Sequence, residues 1–337
     1  MYKIIHIFAF LAIFMSFWSC KDQNTEWREA HGSVWATSYN IKYQSDKNLD
    51  DSLLVAMKEV ENALSGFNPE SEISRVNRGL TDQVGELARV VFVEAQRVNH
   101  VSGGAFDPTV APLVNLWGFG YKNGAAEGSE PDSTAIADAL KRVGMNRCAI
   151  TSDGHITKVD PATEFDFNAI TKGYGVDRVA DALRRNGVQN FMVEIGGEVI
   201  TGGTNPDGRA WHIQIDAPVV DNSATHRRLT VIEVDGRGIA TSGNYRNYKT
   251  LADGSRVGHT ISAKTGRPVT TTTLSATVIA PTTMTADALA TATMAMPLDS
   301  ARLMLEREPR TGALIVTASP DGSYQLITVG DWPGNEK

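Results

Sequence analysis

Asp287 and Thr291 stand four residues apart in Thr285-Ala286-Asp287-Ala288-Leu289-Ala290-Thr291. This run of small residues reads as a helix, and the spacing puts both side chains on one side of it. A carboxylate and a hydroxyl are hard oxygen donors, suited to Mg²⁺ and a diphosphate rather than to zinc. The same two residues also suit a plainer use, with Asp287 facing the helix dipole and Thr291 bonding back to its own helix. Asp166-Phe167-Asn168-Ala169-Ile170-Thr171-Lys172-Gly173-Tyr174-Gly175-Val176-Asp177 takes a loop into a helix. A helix N-terminus gathers free N–H groups and positive dipole, and so suits phosphate. Lys172 at that end adds a full charge, unless the segment is only an Asp-capped helix with Lys172 in solvent. It is not a Walker loop, because the Gly-rich lead and the Lys-Ser/Thr pair are missing. His259, in His259-Thr260-Ile261, titrates near neutral pH when unperturbed, and is either a proton acceptor or a structural histidine. Paired glycines in Glu194-Ile195-Gly196-Gly197-Glu198 permit close approach of the backbone to a ligand or to a neighbouring strand. Asp107 lies among apolar residues in Gly104-Ala105-Phe106-Asp107-Pro108, where a carboxylate needs partners.

One apparent chemistry is excluded. Ser242-Gly243-Asn244 and Lys264-Thr265-Gly266 are similar to the second and third motifs of serine penicillin-recognising enzymes, but Ser-x-x-Lys occurs nowhere, so the nucleophile is missing.

The elements that must hold these residues alternate irregularly. Leu53, Met57, Val60 and Leu64 share one face of a helix over Asp50–Leu64, which Gly66 and Pro69 stop. Further helices are predicted over Glu86–Val101, Pro131–Val143 (with Asp132 as N-cap), Lys172–Arg185, Ala286–Met296 and Asp299–Glu306. Strands are predicted within His31–Tyr43, Ile156–Val159, Phe191–Ile195, His212–Ile215, Leu229–Val234, Leu274–Ala280, Ala313–Thr317 and Tyr324–Val329, with a further one at Cys148–Thr151. The run Gly104–Gly120 is neither an ordinary helix nor an ordinary strand, and Tyr121–Glu130 and Pro218–Arg228 read as surface loops. Mixed strands and helices without strict βαβ alternation favour an α+β fold.

With 42% hydrophobic and 21% charged residues, the 337-residue chain can bury a large core. A formal charge of -7 argues against a nucleic-acid partner. The apolar stretch Ile4–Trp18 is short for a membrane span and ends at Ser19-Cys20, before polar Lys21-Asp22-Gln23-Asn24. It resembles a bacterial lipoprotein signal over residues 1–19, with Cys20 lipidated, although Phe17 stands where Leu is usual. Residues 20–30 then form a polar tether, and 31–333 are left as a single folded unit. The other cysteine, Cys148, has no intramolecular partner in that case and reads as a buried structural thiol.

In this order, and from about Gly32 to about Pro297, the motifs resemble those of the ApbE family, flavin transferases that move FMN from FAD to protein threonines. Asn68-Pro69-Glu70-Ser71-Glu72-Ile73-Ser74-Arg75-Val76-Asn77 is similar to its early signature, and the segments Ile239–Arg246 and His259–Pro268 also match. The resemblance implies an α+β fold of mixed sheets with packed helices. It implies that the Ala169 carbonyl, Asp287 and Thr291 hold Mg²⁺. It implies that Ala105, Phe106, Asp107, Asp166, Lys172 and Ile261 contact FAD, the substrate, with His259 near the pyrophosphate. Trp35 and Phe67 fall where the family offers apolar surfaces to the flavin, Trp35 in place of a common Met and Phe67 in place of Tyr or Trp. Thr171 stands where Ala is frequent. The implied reaction is attack of a Thr or Ser hydroxyl on the FMN-side phosphorus with loss of AMP, with His259 or Asp287 as catalytic base. The implied partners are flavin-accepting proteins, such as subunits of membrane redox complexes, at the periplasmic side of a bacterial membrane. The alternatives are an FAD pyrophosphatase releasing FMN and AMP, and a non-enzymatic flavin-binding lipoprotein.

Overall fold

The computed structural model describes residues 25–122, 124, 128–218, 227–234, 236–244, 248–319 and 323–333. The signal segment and Cys20 lie outside them, as do parts of the Tyr121–Glu130 and Pro218–Arg228 loops and of the Ile239–Arg246 motif.

The chain opens with the hairpin β1 (Glu26–Val34) and β2 (Thr37–Ser45), then α1 (Asp50–Leu64), α2 (Glu72–Asn77) and α3 (Glu86–Val101). A 3₁₀ turn at Pro108–Val110 leads to α4 (Ala111–Leu116), α5 (Ser133–Leu140) and the small hairpin β3 (Cys148–Ile150) and β4 (Ile156–Lys158). α6 (Asn168–Arg185) precedes β5 (Phe191–Ile195) and β6 (Glu198–Gly202). A separate hairpin, β7 (Trp211–Asp216) and β8 (Arg228–Val234), is followed by β9 (Gly238–Gly243) and the short pair β10 (Tyr248–Thr250) and β11 (Arg256–Gly258). β12 (Thr273–Ala280), α7 (Thr283–Met294), α8 (Leu298–Arg307), β13 (Gly312–Ala318) and β14 (Tyr324–Gly330) complete it.

Eight of these strands form one antiparallel sheet in the order β1-β2-β5-β6-β9-β12-β13-β14. On one face α6 packs Val176, Val179 and Leu183 against Ile41, Val193 and Ile195, and α1 covers it with Leu53 and Met57. Beside it α7 packs Ala288, Leu289 and Ala292 against Ala240, Val278 and Ile315, under Val91, Ala95 and Val98 of α3. The other face is covered where Ile215, Ile232 and Val234 of the β7–β8 hairpin meet Val199, Ile239, Ile279 and Leu314. The fold is the expected α+β arrangement of sheets and packed helices.

α6 and α7 touch closely. A Cβ on Gly173 would stand 2.3 Å from the Thr283 carbonyl oxygen, so only glycine allows the approach. Asp177 of α6 accepts hydrogen bonds from the N–H groups of Thr283 (2.9 Å) and Met284 (2.8 Å). Thr282 caps the same end by accepting from Thr285 N–H. The first turn of α7 is thus satisfied partly by its neighbour.

Three expectations are corrected. The strand expected over His31–Tyr43 is a hairpin that begins at Glu26, so Glu26–Ala30 are paired strand and not tether. Its two-residue turn is Trp35-Ala36, both at positive φ (49° and 59°), a primed turn without the usual Asn or Gly signal. α6 begins at Asn168, four residues before Lys172, which therefore stands in the second turn and not at the N-terminus. Asp132 occupies the N-cap position of α5 but makes no side-chain cap bond. Cys148 is buried and free, and burial pushes its thiol up to about 11, as suits a structural residue.

Candidate active site

A cleft of about 1180 Å³ opens where the N-terminal half of α6, the middle of α7, the β5–β6 turn and the Ala105–Pro108 segment meet. α7 brings Asp287 and Thr291 to it on successive turns. Asp287 is only 3% exposed, and its Oδ2 accepts from the Gly173 N–H at 3.0 Å. A regular helix offers that N–H to the carbonyl four residues back, here Ala169. Asp287 thus draws on the donor that the Ala169 carbonyl would otherwise hold, and that carbonyl keeps lone-pair capacity in a residue lining the cleft. Thr291 Oγ1 is 3.2 Å from Ser242 Oγ of β9, and either hydroxyl can donate. Burial raises the Asp287 carboxyl above its usual range, against the pull of Lys172 and of the Gly173 N–H.

Lys172 points between two acids. Its ammonium is ion-paired with Glu198, which begins β6 and is 2% exposed. Burial works against charge on Lys172, but Glu198 and Asp287 together outweigh it and hold the ammonium above its ordinary range. Burial pushes Glu198 up to about 7 while Lys172 pulls it down. The second Glu198 oxygen, Oε2, is buried with no hydrogen-bond partner. Glu198 is the residue that the sequence did not assign. Its signal was the acidic residue closing the Glu194–Glu198 motif, where the two glycines form the β5–β6 turn at φ 61° and 96°.

The donors fit a hard cation. One carboxylate, one hydroxyl and one carbonyl are all oxygen. Among the described residues no group of three or more His, Cys, Asp or Glu could hold a metal by itself. A cation here must complete its shell with phosphate oxygens and water, as Mg²⁺ does on a diphosphate.

The remaining candidates mostly converge on the same cleft. Phe67, Ala105, Phe106, Asp107, Asp166, His259 and Ile261 all line it. Asp107 is spent internally: Oδ1 accepts from Thr109 N–H (2.8 Å) and Oδ2 from Met145 N–H (3.0 Å), which fixes the 3₁₀ turn. Asp166 accepts from Asn168 N–H (2.9 Å), while its own N–H donates to the Pro108 carbonyl (2.7 Å), tying this segment to the start of α6. Burial raises the Asp166 carboxyl. Phe106 and Ile261 are buried, whereas Phe67 is 64% exposed and edge-on to Tyr121. His259 sets its ring edge against Phe119, with centroids 6.4 Å apart. Trp35 stands apart from these. It is not among the cleft's lining residues, and its ring lies on Gly175 of α6, where an added Cβ would come within 2.0 Å of Cη2. The primed turn carries it onto the helix.

The sequence profile of the ApbE family matches residues 35–315. An FAD:protein FMN transferase of Vibrio cholerae serotype O1 is 37% identical over 307 residues, covering 86% of this chain and 87% of its own. One from Haemophilus influenzae is 33% identical over 332 residues, covering 94% of each. Among solved structures, the flavin transferase ApbE from Vibrio cholerae superposes with a TM-score of 0.81 at 34% identity, covering 91% of this chain and 98% of that one. The apo form of the Pseudomonas stutzeri flavinyl transferase ApbE gives 0.79 at 30% identity, covering 90% and 95%. Matched over most of its length in sequence and in fold, with its motifs gathered at one cleft, the chain belongs to the ApbE family.

Proposed function

We propose that this enzyme transfers FMN from FAD to a Thr or Ser hydroxyl of an acceptor protein and releases AMP. The observation that carries the reading is the meeting, in one cleft, of the Lys172 ammonium with the oxygen set of Ala169, Asp287 and Thr291. That pairing answers a diphosphate, which needs charge neutralisation along both of its phosphates. Mg²⁺ held by those three groups would supply that neutralisation and hold the diphosphate in line for displacement. Lys172, kept charged by Glu198 and Asp287, binds phosphate oxygens from the α6 side. The Ala105–Pro108 segment and Ile261 offer an apolar wall for the rings of FAD. The acceptor hydroxyl oxygen forms a bond to the FMN-side phosphorus, the bond to the AMP phosphate breaks, and the hydroxyl proton passes to His259.

Membrane attachment at the periplasmic face through a lipidated Cys20, after removal of residues 1–19, belongs to the same reading. So do acceptors among subunits of membrane redox complexes. No helix among the described residues is long and apolar enough to cross a membrane. The test is incubation of the soluble domain with FAD, Mg²⁺ and a threonine-bearing acceptor domain. Gain by the acceptor of one FMN mass less one water, with equimolar AMP, supports transfer. Free FMN and AMP with an unmodified acceptor would replace it with the pyrophosphatase reading.

A further inference from the structure

We propose that Glu198 is a positioning residue that holds the Lys172 ammonium off Asp287, so that Asp287 stays open to a cation while Lys172 stays charged beside it; this rests on the metal site of the reading above. The three side chains form one cluster of two carboxylates and one ammonium. Lys172 and Asp287 line the cleft, and Glu198 is not among its lining residues. Glu198 therefore acts on a ligand in the cleft only through the lysine. The backbone brings Lys172 close to Asp287, because the next residue, Gly173, gives its N–H to Asp287 Oδ2 at 3.0 Å. A lysine on that turn with no other acid in reach would settle on Asp287. Its ion pair is with Glu198 instead. Burial opposes the charge on Lys172, and Glu198 counters burial more strongly than Asp287 does.

The surroundings of Glu198 suit that task. It opens β6 and pairs with Ile195 across the Gly196-Gly197 turn. Glu194 Oε1 accepts from the Gly197 N–H at 2.8 Å, and its Oε2 accepts from Asn40 Nδ2 at 2.9 Å, which ties the turn to β2. The Glu198 carboxylate thus stands on a braced hairpin, whereas Lys172 carries its charge on a flexible stem. The buried Oε2 of Glu198 has no hydrogen-bond partner. It is a spare acceptor beside an ammonium with donors to spare. A cation arriving on Asp287, Thr291 and the Ala169 carbonyl repels that ammonium, and Oε2 gives it a second atom to bond. With Glu198 uncharged, Asp287 would be left as the counter-charge of Lys172, and ammonium and metal would compete for it.

The test is a double-mutant cycle read by metal binding rather than by turnover. Mn²⁺, in place of Mg²⁺, is titrated into the protein with ADP, a diphosphate that carries no FMN to transfer. Binding beyond an ADP-only blank is followed by loss of the free-ion paramagnetic resonance signal. The wild type, Glu198→Gln, Lys172→Met and the double variant are compared, with near-ultraviolet circular dichroism as the fold control. Glu198→Gln is expected to weaken Mn²⁺ binding by about tenfold or more. With Lys172 already replaced by Met, the same Glu198 change is expected to matter by less than about twofold. Should Glu198→Gln not fold, the cycle is run with Glu198→Asp, which keeps the charge and shortens its reach. A smaller loss of the same sign is then expected, again absent beside Lys172→Met. Wild-type Mn²⁺ affinity in the Glu198 variant, or an equal loss with and without Lys172, overturns the positioning role and leaves the metal site standing. No Mn²⁺ binding by the wild type beyond the blank removes the metal site and the proposal with it.

Discussion

Lys172 and Asp287 share a cluster but have different tasks. The lysine is held charged by its neighbours, whereas the aspartate keeps one oxygen on the Gly173 N–H and has the other to offer a cation. Asp287→Ala removes the only full charge from the oxygen set. Its Mg²⁺-dependent turnover is expected to fall by about 10² or more, far beyond the loss in Thr291→Ala, as a titration of FAD cleavage against Mg²⁺ would record. Undiminished turnover of Asp287→Ala in the presence of chelator would remove the metal site. His259→Asn separates binding from chemistry. FAD affinity should stay within a few-fold while transfer drops by roughly 10², the scale of a lost general base. A wild-type transfer rate in that variant would make His259 structural. Asp287 and Thr291 could be read from the sequence because an i, i+4 pair needs only the helix to meet. Glu198 could not, since its partner Lys172 reaches it only after β5 and β6 have folded back beneath α6. The packing of Trp35 on Gly175 was not legible, because an aromatic residue at a motif position says nothing about which way a tight turn will throw it.

At the scale of elements, the α6–α7 contact decides whether the site exists. Gly173→Ala would gain about 1 kcal/mol of helix propensity. Its Cβ would also meet the Thr283 carbonyl at 2.3 Å, and relieving an overpacked contact costs about 1–3 kcal/mol. The clash is expected to win, with lower stability in urea unfolding and weaker Mg²⁺ binding. A variant more stable than wild type would refute the close approach. Asp177, which caps α7 from α6, offers a pH test. Burial pushes its carboxyl up to about 6, against the pull of the two N–H donors. The unfolded value is about 3.9. A raised folded value means that the folded chain holds the proton longer, so this contribution is full below about pH 4 and is lost as pH rises through about 6. Asp177→Asn should flatten the fall in stability across that window, as urea midpoints at several pH values would register. An unaltered slope would place the titration elsewhere. α1 and α3 were legible to the residue because their apolar positions repeat at helical spacing. β9 was not, because a short run of small residues and glycine carries no period that marks a strand, and β6 was not, because its β-branched Val199-Ile200-Thr201 is too short a run, buried throughout, to show alternation.

Across the whole molecule, the main sheet is buried on both of its faces. Cys148 can report on it. A buried thiol raised to about 11 should resist a disulfide reagent at pH 8 in the native domain lacking Cys20, and react at once in urea. Rapid labelling of the native domain would show that the α3–β3 region opens locally. The overall class was legible from irregular alternation of elements. The strand order was not, since it depends on distant pairings such as Ile41 with Val193.

That strand order also governs when activity can begin. A ribosome finishes Lys172 well before Asp287, and β2 must wait for β5 before its inner edge is paired. A chain that stops short of Asp287 holds only half of the site, and closing contacts over such distances comes late in folding. On the export reading proposed above, a chain carried across a membrane unfolded would cross it before these contacts form. Such a chain would be silent toward the FAD of the compartment that makes it, and competent only at its destination.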